Sequence, residues 1–426
     1  MSEIIQTKYL LIGYSVSSWF AAQAIREEDD SGRILAITED DKAYSRPLLS
    51  YVLGNRSKDI AYFGEVVSHN PIEVWWGSSV INLDGVERWA ELSDGRKVEF
   101  ERALIATGAI PVFPPIRGAS GEGIFTFTHI DDLERMSAYI HKENIENILV
   151  LGGGFIGLKT CEALIELGLN IQLVELAPRL LINMTDEKSS RHLEKALIKE
   201  GVDIILEDTV EHFEREGQKL RGCVLKSGRS ISCRMAVVAI GVRPNVAWLK
   251  GSGVQVDRGI LVNRFQETSC PGVFAAGDVT ETMNMVTGER SVTAIWPEAV
   301  IQGKIAGKNM AGKRDVYPGS LPLNAVEVGE TALISAGLVN PPGDDDCEIL
   351  VCESEGSYQK LVLKENRIVG LVFVKNIEKA GIYIHLLRQR ISIDAFRDKL
   401  LQPDFGIISL PSNFRKHMVE GAGIEV

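Results

Sequence analysis

Several features that mark other classes of protein are missing from this sequence of 426 residues. No apolar run approaches the ~20 residues that a membrane-spanning helix needs, and the N-terminus lacks the layout of a signal peptide. Positive charge is scarce, because 46 lysine and arginine residues stand against 58 aspartate and glutamate residues, a net charge of −12. We therefore expect no membrane insertion and no general binding to nucleic acid.

Cysteine is also scarce. The six cysteines are scattered along the chain, which is typical of a reducing compartment and predicts a cytoplasmic protein. Cys347 and Cys352 are five positions apart on a predicted strand and should face opposite sides. Cys161 lies on a predicted helix, where a free cysteine is usually part of the core. No cysteine–histidine cluster has the spacing of metal ligands, so we expect no metal and no iron–sulfur centre in this chain.

The strongest positive signal is a βαβ unit at 147–175. An apolar strand runs into Gly152-Gly153-Gly154-Phe155-Ile156-Gly157, a helix follows, and a second apolar strand ends at Glu175. In this dinucleotide fingerprint the first glycine permits the tight turn, the second lets a pyrophosphate approach the backbone, and the third lets the helix pack closely. The strands, glycines, helix and terminal acid all agree with a nucleotide site.

Glu175 bears on which nucleotide binds. It stands about 20 residues after the last glycine of the fingerprint, where a carboxylate accepts hydrogen bonds from a ribose diol. An acid there favours NADH over NADPH, because a 2′-phosphate would meet like charge. Arg179 is close enough in sequence to keep NADPH open.

The start of the chain repeats this layout with altered glycines. The strand 8–12 leads to Gly13, a helix follows, and the next strand ends at Glu39, but Ser15 and Ser18 stand where the second and third glycines belong. Ser15 places a Cβ where the pyrophosphate should come close, although its hydroxyl could donate to a phosphate oxygen. Ser18 predicts a slightly wider gap between helix and strand. An alternative is a plain βαβ unit that binds no nucleotide.

Two further features complete the organisation. An apolar strand breaks at a glycine in 104–108 and again in 237–241, roughly ninety residues after each fingerprint, which indicates two nucleotide-binding domains. Residues 319–426 hold several strand patterns and two helical patterns, and we interpret them as a separate α+β domain. The turns at 93–97 and 227–229 predict hairpins.

These motifs carry a family resemblance. The chain resembles the flavoproteins with two dinucleotide-binding domains, the pyridine-nucleotide oxidoreductases, and is most similar to NADH:rubredoxin reductases and the NADH-binding part of assimilatory nitrite reductases. The matching stretches are Tyr44–Ser50, Ala106–Gly108, Gly152–Gly157, Gly241–Asn245, Gly277-Asp278 and Trp296–Ala299, with looser matches at Tyr358–Leu371 and Lys379–Phe405.

The resemblance implies an α/β fold with two Rossmann-like domains, which bind FAD and NAD, and a C-terminal α+β domain. We expect the FAD domain at 1–118 and 242–315, the NAD domain at 119–241 and the C-terminal interface domain at 316–426. The FAD domain is split because Asp278 must return to the first half of the chain.

The resemblance also implies the cofactor contacts. Arg46 and Pro47 would lie against the pyrophosphate and flavin, and Asp278 would bind the ribityl chain. The full set for FAD is Gly13, Ser15, Ser18, Glu39, Arg46, Pro47, Val80, Thr107, Gly108, Gly277, Asp278, Trp296 and Pro297. The set for NAD(H) is Gly152, Gly154, Phe155, Ile156, Gly157, Glu175 and Gly241.

The chain departs from this family in two places. Residues 39–56 contain no cysteine, and because a thiolate is the nucleophile in disulfide and peroxide reduction, we expect neither activity. Ferredoxin-reductase-like relatives pair a lysine with a glutamate where this chain has Tyr51 and Lys159. Our hypothesis is that Lys159 supplies the positive charge near flavin N5 and O4, the only catalytic role that we assign. The alternative is a solvated helix residue.

The implied function is hydride exchange between NAD(H) and FAD, followed by one-electron transfer to or from a protein redox partner. The chain could be a free reductase of a rubredoxin-like or iron–sulfur carrier, or the NAD-reducing flavoprotein subunit of an iron–sulfur complex that oxidises aldehydes or 2-oxoacids. A third hypothesis is a non-catalytic assembly module with a decayed FAD site. Both homo- and hetero-oligomers stay open.

A basic cluster of Arg388, Arg390, Arg415, Lys416 and His417 offers a docking site for an acidic redox partner. A solvated helix face is the alternative interpretation.

Overall fold

The computed structural model describes residues 4–54, 56–64, 66, 70–343, 346–354 and 356–411. The chain forms two compact units. The first contains Met1–Gly152, Ile156–Ile171 and Val210–Ser320, and the second contains Gly153–Phe155, Gln172–Thr209 and Leu321–Val426. The predicted boundaries of three domains stay a prediction. Arg415, Lys416 and His417 of the basic cluster lie outside the described residues.

The helices are α1 Val16–Glu28, α2 Leu49–Leu53, α3 Ile130–Glu143, α4 Phe155–Glu166, α5 Glu187–Lys199, α6 Trp296–Met310 and α7 Ala380–Arg388. The strands are β1 Ile4–Ile12, β2 Ile34–Ile37, β3 Glu73–Trp75, β4 Val80–Asp84, β5 Trp89–Leu92, β6 Lys97–Ile105, β7 Ala109–Pro111, β8 Ile124–Phe125, β9 Asn147–Leu151, β10 Asn170–Val174, β11 Asp203–Ile205, β12 Val210–Glu216, β13 Lys219–Leu225, β14 Ser230–Ser232, β15 Met235–Val238, β16 Val242–Pro244, β17 Ile260–Leu261, β18 Val273–Ala275, β19 Thr280–Met283, β20 Arg290–Ser291, β21 Leu323–Val328, β22 Thr331–Gly337, β23 Glu348–Ser354, β24 Ser357–Lys364 and β25 Arg367–Val374.

The main sheet of the first unit is parallel where it carries the nucleotide motifs. Strands β3, β2, β1 and β6 are neighbours in that order, and β18 pairs with the far side of β6, all in parallel. Strand β2 is buried along its whole length, as expected for a parallel strand covered on both faces. Strands β5 and β4 extend the sheet in antiparallel fashion.

Helices α1 and α6 pack against each other in the first unit. Their backbones approach closely at two glycines of α6 that are four positions apart. A Cβ on Gly303 would lie 2.9 Å from Ser17 Cα, and one on Gly307 would lie 2.8 Å from Ala21 Cα. Glycine is therefore required at both positions, and it brings the second half of α6 beside the first half of α1.

The second fingerprint begins in another parallel sheet of the first unit, where β9 and β8 both pair with β15. The small antiparallel sheet β12–β13–β14 follows. Its turn at Gly228 and the turn at Gly95 between β5 and β6 have positive φ angles of +88° and +86°, so both predicted hairpin turns are confirmed.

The second unit is built on the antiparallel sheet β21–β22–β25–β24–β23. Helix α5 packs against β21, β22 and β25, and α7 packs against β22 and β25. The predicted α+β character of the C-terminal segment is confirmed. Of the two predicted helical patterns, one is α7, and the described chain beyond it forms only single 3₁₀ turns at Arg397–Lys399 and Ile407–Ser409. No helix within the described ranges is long and apolar enough to cross a membrane.

Candidate functional site

Three glycine turns form a cradle at one edge of the main sheet. Gly13 follows β1, Gly108 follows β6 and Gly277 follows β18, with φ angles of +86°, +67° and +84°. Because β1, β6 and β18 are parallel neighbours, their carboxyl ends meet at the same edge. A Cβ on Gly13 would lie 2.9 Å from the carbonyl carbon of Ala106, so only glycine allows these turns to approach so closely.

The two serines of the altered fingerprint both bond within the protein. Ser15 Oγ donates to the carbonyl of Tyr44 at 3.2 Å, which ties the turn to the Tyr44–Ser50 motif. Ser18 Oγ donates to the carbonyl of Gly13 at 2.5 Å and is fully buried. Ser18 therefore fills the space that the third glycine leaves in other fingerprints, and its hydroxyl has a partner there. That Ser15 also donates to a phosphate stays a prediction.

Glu39 lies at the same edge, directly after β2. Its Oε1 accepts a hydrogen bond from Ser79 Oγ at 2.7 Å. The backbone N–H of Ser78 donates to the carbonyl of Thr38 at 2.8 Å, which holds the loop before Val80 against the end of β2. An exposed carboxylate held in this way can accept hydrogen bonds from ribose hydroxyls. The sequence did not single out Ser79, because a lone serine before a strand carries no signal.

Arg46 brings a positive charge to the cradle. It begins a single 3₁₀ turn with Pro47 at the next position, and its Nη1 donates to the carbonyl of Ala109 at 3.2 Å. A Cβ on Gly108 would lie 3.4 Å from the same nitrogen, so the guanidinium lies along the Gly108 turn. Burial raises the pKa of Asp278, and the charge of Arg46 opposes that rise. A cation beside three glycine turns suits a pyrophosphate.

The remaining predicted FAD contacts close the cradle. Thr107 Oγ1 donates to the carbonyl of Asn245 at 3.1 Å. Trp296 and Pro297 form the first turn of α6. The Trp296 ring is 38 % exposed and stands edge-on to Phe20, with ring centres 6.3 Å apart. A partly exposed indole is the kind of apolar surface that an isoalloxazine ring needs, and the contact of Trp296 and Pro297 with FAD stays a prediction.

A partly buried polar cluster beside Arg46 was not predicted. The Tyr44 hydroxyl lies 3.3 Å from His129 Nδ1, and burial raises the pKa of Tyr44 to about 12. Burial also raises the pKa of Asp40, whereas the charges of His129 and Arg46 act to lower it. Tyr44 belongs to a recognised motif, but His129 comes from the start of α3, and the sequence holds no signal that joins the two.

On the nucleotide side, the second unit contains an open groove. It is lined by Gly153, Gly154, Glu175, Leu181, Ile182, Asn183 and Met184. The Glu175 carboxylate accepts hydrogen bonds from the backbone N–H groups of Gly153, at 2.5 Å, and Ala177, at 2.7 Å. A Cβ on Gly154 would meet nothing within 4 Å. The groove therefore combines a carboxylate held by two hydrogen bonds with a backbone segment at Gly154 that a ligand can approach closely. The segment 181–184 was missed because apolar loop residues give no motif.

Of the other residues predicted to contact NAD(H), all but Phe155 belong to the first unit. Gly152 has a φ of +115°, and a Cβ there would lie 2.8 Å from the carbonyl carbon of Ala239. A Cβ on Gly157 would collide with the carbonyl oxygen of Gly152. Gly241 has a φ of +117° with open space around it. Phe155 and Ile156 are half-buried at the start of α4. The predicted roles of these residues toward NAD(H) stay predictions.

Lys159 is not a solvated helix residue. Its side chain is 14 % exposed, and its Nζ lies 2.6 Å from Glu162 Oε2. The same ammonium lies 5.3 Å from the centre of the Tyr51 ring. The guanidinium of Arg56 lies 4.8 Å from the centre of that ring. The structure therefore brings Lys159 and Tyr51 together, and the role of Lys159 beside the flavin stays a prediction.

Cys161 and the described part of the basic cluster lie in different units of the chain. Cys161 is fully buried, as predicted, and burial raises the pKa of its thiol to about 12. Within the described ranges, no group of three or more histidine, cysteine or acidic residues could hold a metal ion. Of the basic cluster, Arg390 is exposed and Arg388 is half-buried.

Comparison with known proteins identifies the family. The model for pyridine nucleotide-disulphide oxidoreductases matches residues 7–303, and that for the C-terminal domain of rubredoxin NAD⁺ reductase matches residues 322–391. The chain belongs to the pyridine nucleotide-disulphide oxidoreductase family. The resemblance and fold class inferred from the sequence are thus confirmed, and the protein is an NAD(H)-dependent FAD oxidoreductase. Since the glycine turns, Arg46, Glu39 and the partly exposed Trp296 ring match the parts of FAD, the residues present fit this cofactor.

Individual relatives refine the picture. The chain is 30 % identical over 407 residues to the epsilon subunit of NADH-dependent phenylglyoxylate dehydrogenase from Aromatoleum evansii, covering 93 % of this chain and 95 % of that protein. It is 29 % identical to the NAD(P)H nitrite reductase of Bacillus subtilis, covering 84 % of this chain but 44 % of that protein. The water-forming NADH oxidase of Lactobacillus brevis, bound to NADH, shares the fold, with a TM-score of 0.84 at 21 % identity over 94 % of this chain and 95 % of that one.

Proposed function

We propose that this oxidoreductase exchanges hydride with NAD(H) and exchanges single electrons with a separate protein, either a rubredoxin-like carrier or an iron–sulfur protein. The observation that carries the proposal is an FAD cradle without a thiol. Residues 39–56 hold no cysteine. The buried cysteines are Cys161, Cys223, Cys233 and Cys270, and the two that are not buried, Cys347 and Cys352, belong to the second unit. Since disulfide and peroxide reduction need a thiolate nucleophile, a protein carrier is the better electron partner.

The residues of the chain would divide the work as follows. Arg46 and the turns at Gly13 and Gly108 would hold the pyrophosphate, and Glu39 would hold the adenosine ribose. Asp278 would bind the ribityl chain. When bound, FAD supplies the chemistry that converts a two-electron hydride transfer into single-electron steps. No acid or base is needed for hydride transfer itself, so the protein's task is to bind and orient.

The nicotinamide cofactor would be recognised by Glu175 and the open backbone at Gly154. Both oxygens of Glu175 are already fixed by backbone N–H donors, which leaves remaining lone pairs for a ribose diol. This arrangement supports NADH as the preferred form. Lys159 would contribute positive charge beside the flavin, with Tyr51 and Glu162 holding its ammonium in place.

The test is an anoxic absorption spectrum of the purified protein before and after NADH is added. We expect a flavin spectrum that bleaches with NADH and recovers when oxidised rubredoxin or a ferredoxin is added. Oxidised glutathione, coenzyme A disulfide and hydrogen peroxide serve as controls and should not restore the spectrum. Rapid recovery with one of these, and none with a carrier, would contradict the proposal.

A second candidate is the NAD-reducing flavoprotein subunit of an iron–sulfur complex that oxidises aldehydes or 2-oxoacids. The favouring observation is the similarity to a dehydrogenase subunit along 95 % of that subunit's length. This candidate predicts that native protein isolated without oxygen carries further subunits with iron–sulfur absorption. A free reductase would instead be isolated alone and would be active with a small carrier.

The third hypothesis, a non-catalytic module with a decayed FAD site, loses its support. It rested on Ser15 and Ser18, but Ser18 bonds to Gly13 within the turn and Ser15 bonds to the carbonyl of Tyr44. We retain as proposals the three domain boundaries given above and a cytoplasmic location, the latter because of the scattered cysteines.

A further inference from the structure

One wall of the nucleotide groove in the second unit is the loop that leads into α5. We name residues 181–184, which line the groove, the groove wall. Asp186, two positions after the wall, is the N-cap of α5. Leu181 has a φ of +50°, a left-handed conformation that is costly for a residue other than glycine. The wall therefore keeps its shape only where neighbouring groups hold it.

The first end of the groove wall is held by the fingerprint. The backbone N–H of Leu181 donates to the carbonyl of Gly153 at 2.9 Å, and Gly153 also bonds to the Glu175 carboxylate. Thr185 is fully buried, and its Oγ1 donates to the carbonyls of Leu180, at 2.8 Å, and Leu181, at 3.0 Å. The wall is therefore bonded to the residues that we assign to the nucleotide.

The other end of the wall is held by the C-terminal part of the same unit. Asn340 Nδ2 donates to the carbonyl of Thr185 at 2.9 Å. Asp186 Oδ2 accepts the hydroxyl of Tyr358 at 2.6 Å and lies 3.2 Å from Lys360 Nζ. Tyr358 and Lys360 are two positions apart on β24 and are 2 % and 6 % exposed. Two buried side chains of one strand therefore hold the residue that begins α5.

Helix capping does not account for all of these bonds. Asp186 Oδ1 accepts the backbone N–H of Ser189 at 2.9 Å and its hydroxyl at 2.7 Å, and this oxygen alone completes the cap of α5. Burial acts to raise the pKa of Asp186, but the hydrogen bonds that it accepts, first from Tyr358, and the charge of Lys360 outweigh this effect and lower the pKa. The bonds to Oδ2 are therefore those of an ionised carboxylate with a cationic partner.

We propose that Tyr358 and Lys360 are positioning residues for NAD(H). They fix Asp186, and through it the groove wall, in the shape that receives the nucleotide. A groove that is ordered before binding loses less conformational entropy when the nucleotide binds than one that must still be ordered. The C-terminal sheet thus sets the affinity for the nucleotide, although neither side chain is among those that line the groove. The inference rests on the proposed function, because that function assigns this groove to NAD(H).

The test is calorimetric binding of NAD⁺ to the full chain loaded with FAD. Tyr358→Phe removes only the hydroxyl, and we expect the Kd for NAD⁺ to rise about fivefold. The KM for NADH should rise with it, while kcat and the flavin potential stay unchanged. Asp186→Asn keeps an oxygen to cap α5 but replaces the other with a donor, so it should weaken binding at least as much. The double variant should bind like Asp186→Asn, because both changes remove the same bond.

The matched control is Tyr383→Phe. Tyr383 lies in the same unit, is also 2 % exposed, and donates its hydroxyl to the carbonyl of Leu400. Its variant should lose thermal stability as Tyr358→Phe does, yet bind NAD⁺ like the parent protein. Parent-like binding in both Tyr358→Phe and Asp186→Asn, or equal weakening in Tyr383→Phe, would overturn the inference and leave the proposed function intact. A parent protein that holds FAD but binds no NAD⁺ would instead overturn the proposed function itself.

Discussion

Lys159 in α4 holds its ammonium 5.3 Å from the centre of the Tyr51 ring in α2. The family resemblance implies a lysine at position 51 and a partner glutamate at position 159 in ferredoxin-reductase-like proteins. In this chain the two positions are in contact, and the positive charge lies on α4. A cation held against an aromatic face and a carboxylate is fixed more firmly than a solvated lysine.

The first prediction concerns this lysine. Lys159→Met removes the charge and keeps most of the apolar stem, so reduced FAD should lose electrostatic stabilisation. We expect the flavin potential to fall and stopped-flow reduction by NADH to slow by about tenfold. The control is Lys304→Met, because Lys304 also lies over an aromatic ring, at 5.0 Å from the centre of Phe20. If the potential and rate of Lys159→Met equal those of the control, Lys159 has only a structural role.

The second prediction concerns nucleotide preference. Glu175→Gln leaves one amide oxygen where two carboxylate oxygens accept from Gly153 and Ala177. We expect the KM for NADH to rise about tenfold, because one ribose hydrogen bond to a charged group is lost. We also expect the ratio of kcat/KM for NADH to kcat/KM for NADPH to decrease. The measurement is kcat/KM with each nucleotide. The control is Glu187→Gln, at an exposed position in α5. If both variants have the same ratio of kcat/KM for NADH to kcat/KM for NADPH, the assignment of Glu175 to the NADH ribose is wrong.

Periodicity and glycine spacing were enough to predict much of the fold and part of the site. Gly13 and Gly152 have positive φ angles, and Gly157 lies against the carbonyl of Gly152 five positions earlier, so a short motif records all three. His129 beside Tyr44, and Tyr358 beside Asp186, come together only through tertiary packing. A sequence pattern carries no trace of such pairs, because neither partner needs a particular spacing. From the sequence we expected Ser18 to widen the gap between helix and strand, and we did not anticipate its hydrogen bond to the Gly13 carbonyl. That bond depends on the local backbone geometry of the turn.

The third prediction follows from Ser18. Ser18→Gly restores the usual third glycine, yet it removes the buried hydrogen bond to the Gly13 carbonyl and places glycine within α1. We expect the free energy of unfolding to fall by about 1–2 kcal/mol, since a hydrogen bond contributes about 1 kcal/mol and glycine in a helix costs a similar amount. Thermal unfolding of the FAD-free protein measures this effect. A more stable Ser18→Gly protein would show that the hydroxyl only fills space.

The fourth prediction concerns acid stability. Asp29 follows α1, and its carboxylate accepts hydrogen bonds from Lys8 Nζ at 2.7 Å, Tyr9 Oη at 2.8 Å, Gly32 N at 2.9 Å and Ser31 N at 3.0 Å. The bond from Lys8 contributes most to a pKa of Asp29 well below its usual range. Its side chain is only 14 % exposed, so solvent screens these interactions weakly.

Because the pKa of Asp29 is lower in the folded than in the unfolded chain, its contribution is complete above the unfolded pKa of about 4 and is lost as the pH falls below it. Asp29→Asn should therefore lower the free energy of unfolding by about 2–3 kcal/mol at pH 7, and by progressively less below pH 4. Denaturant unfolding across this range measures the difference. Asp94→Asn removes the charge from an exposed pair with Arg96, which solvent screens, and should leave the free energy of unfolding nearly unchanged at any pH. A difference for Asp29→Asn that does not shrink in acid would mean that its shape, and not its charge, stabilises the turn after α1.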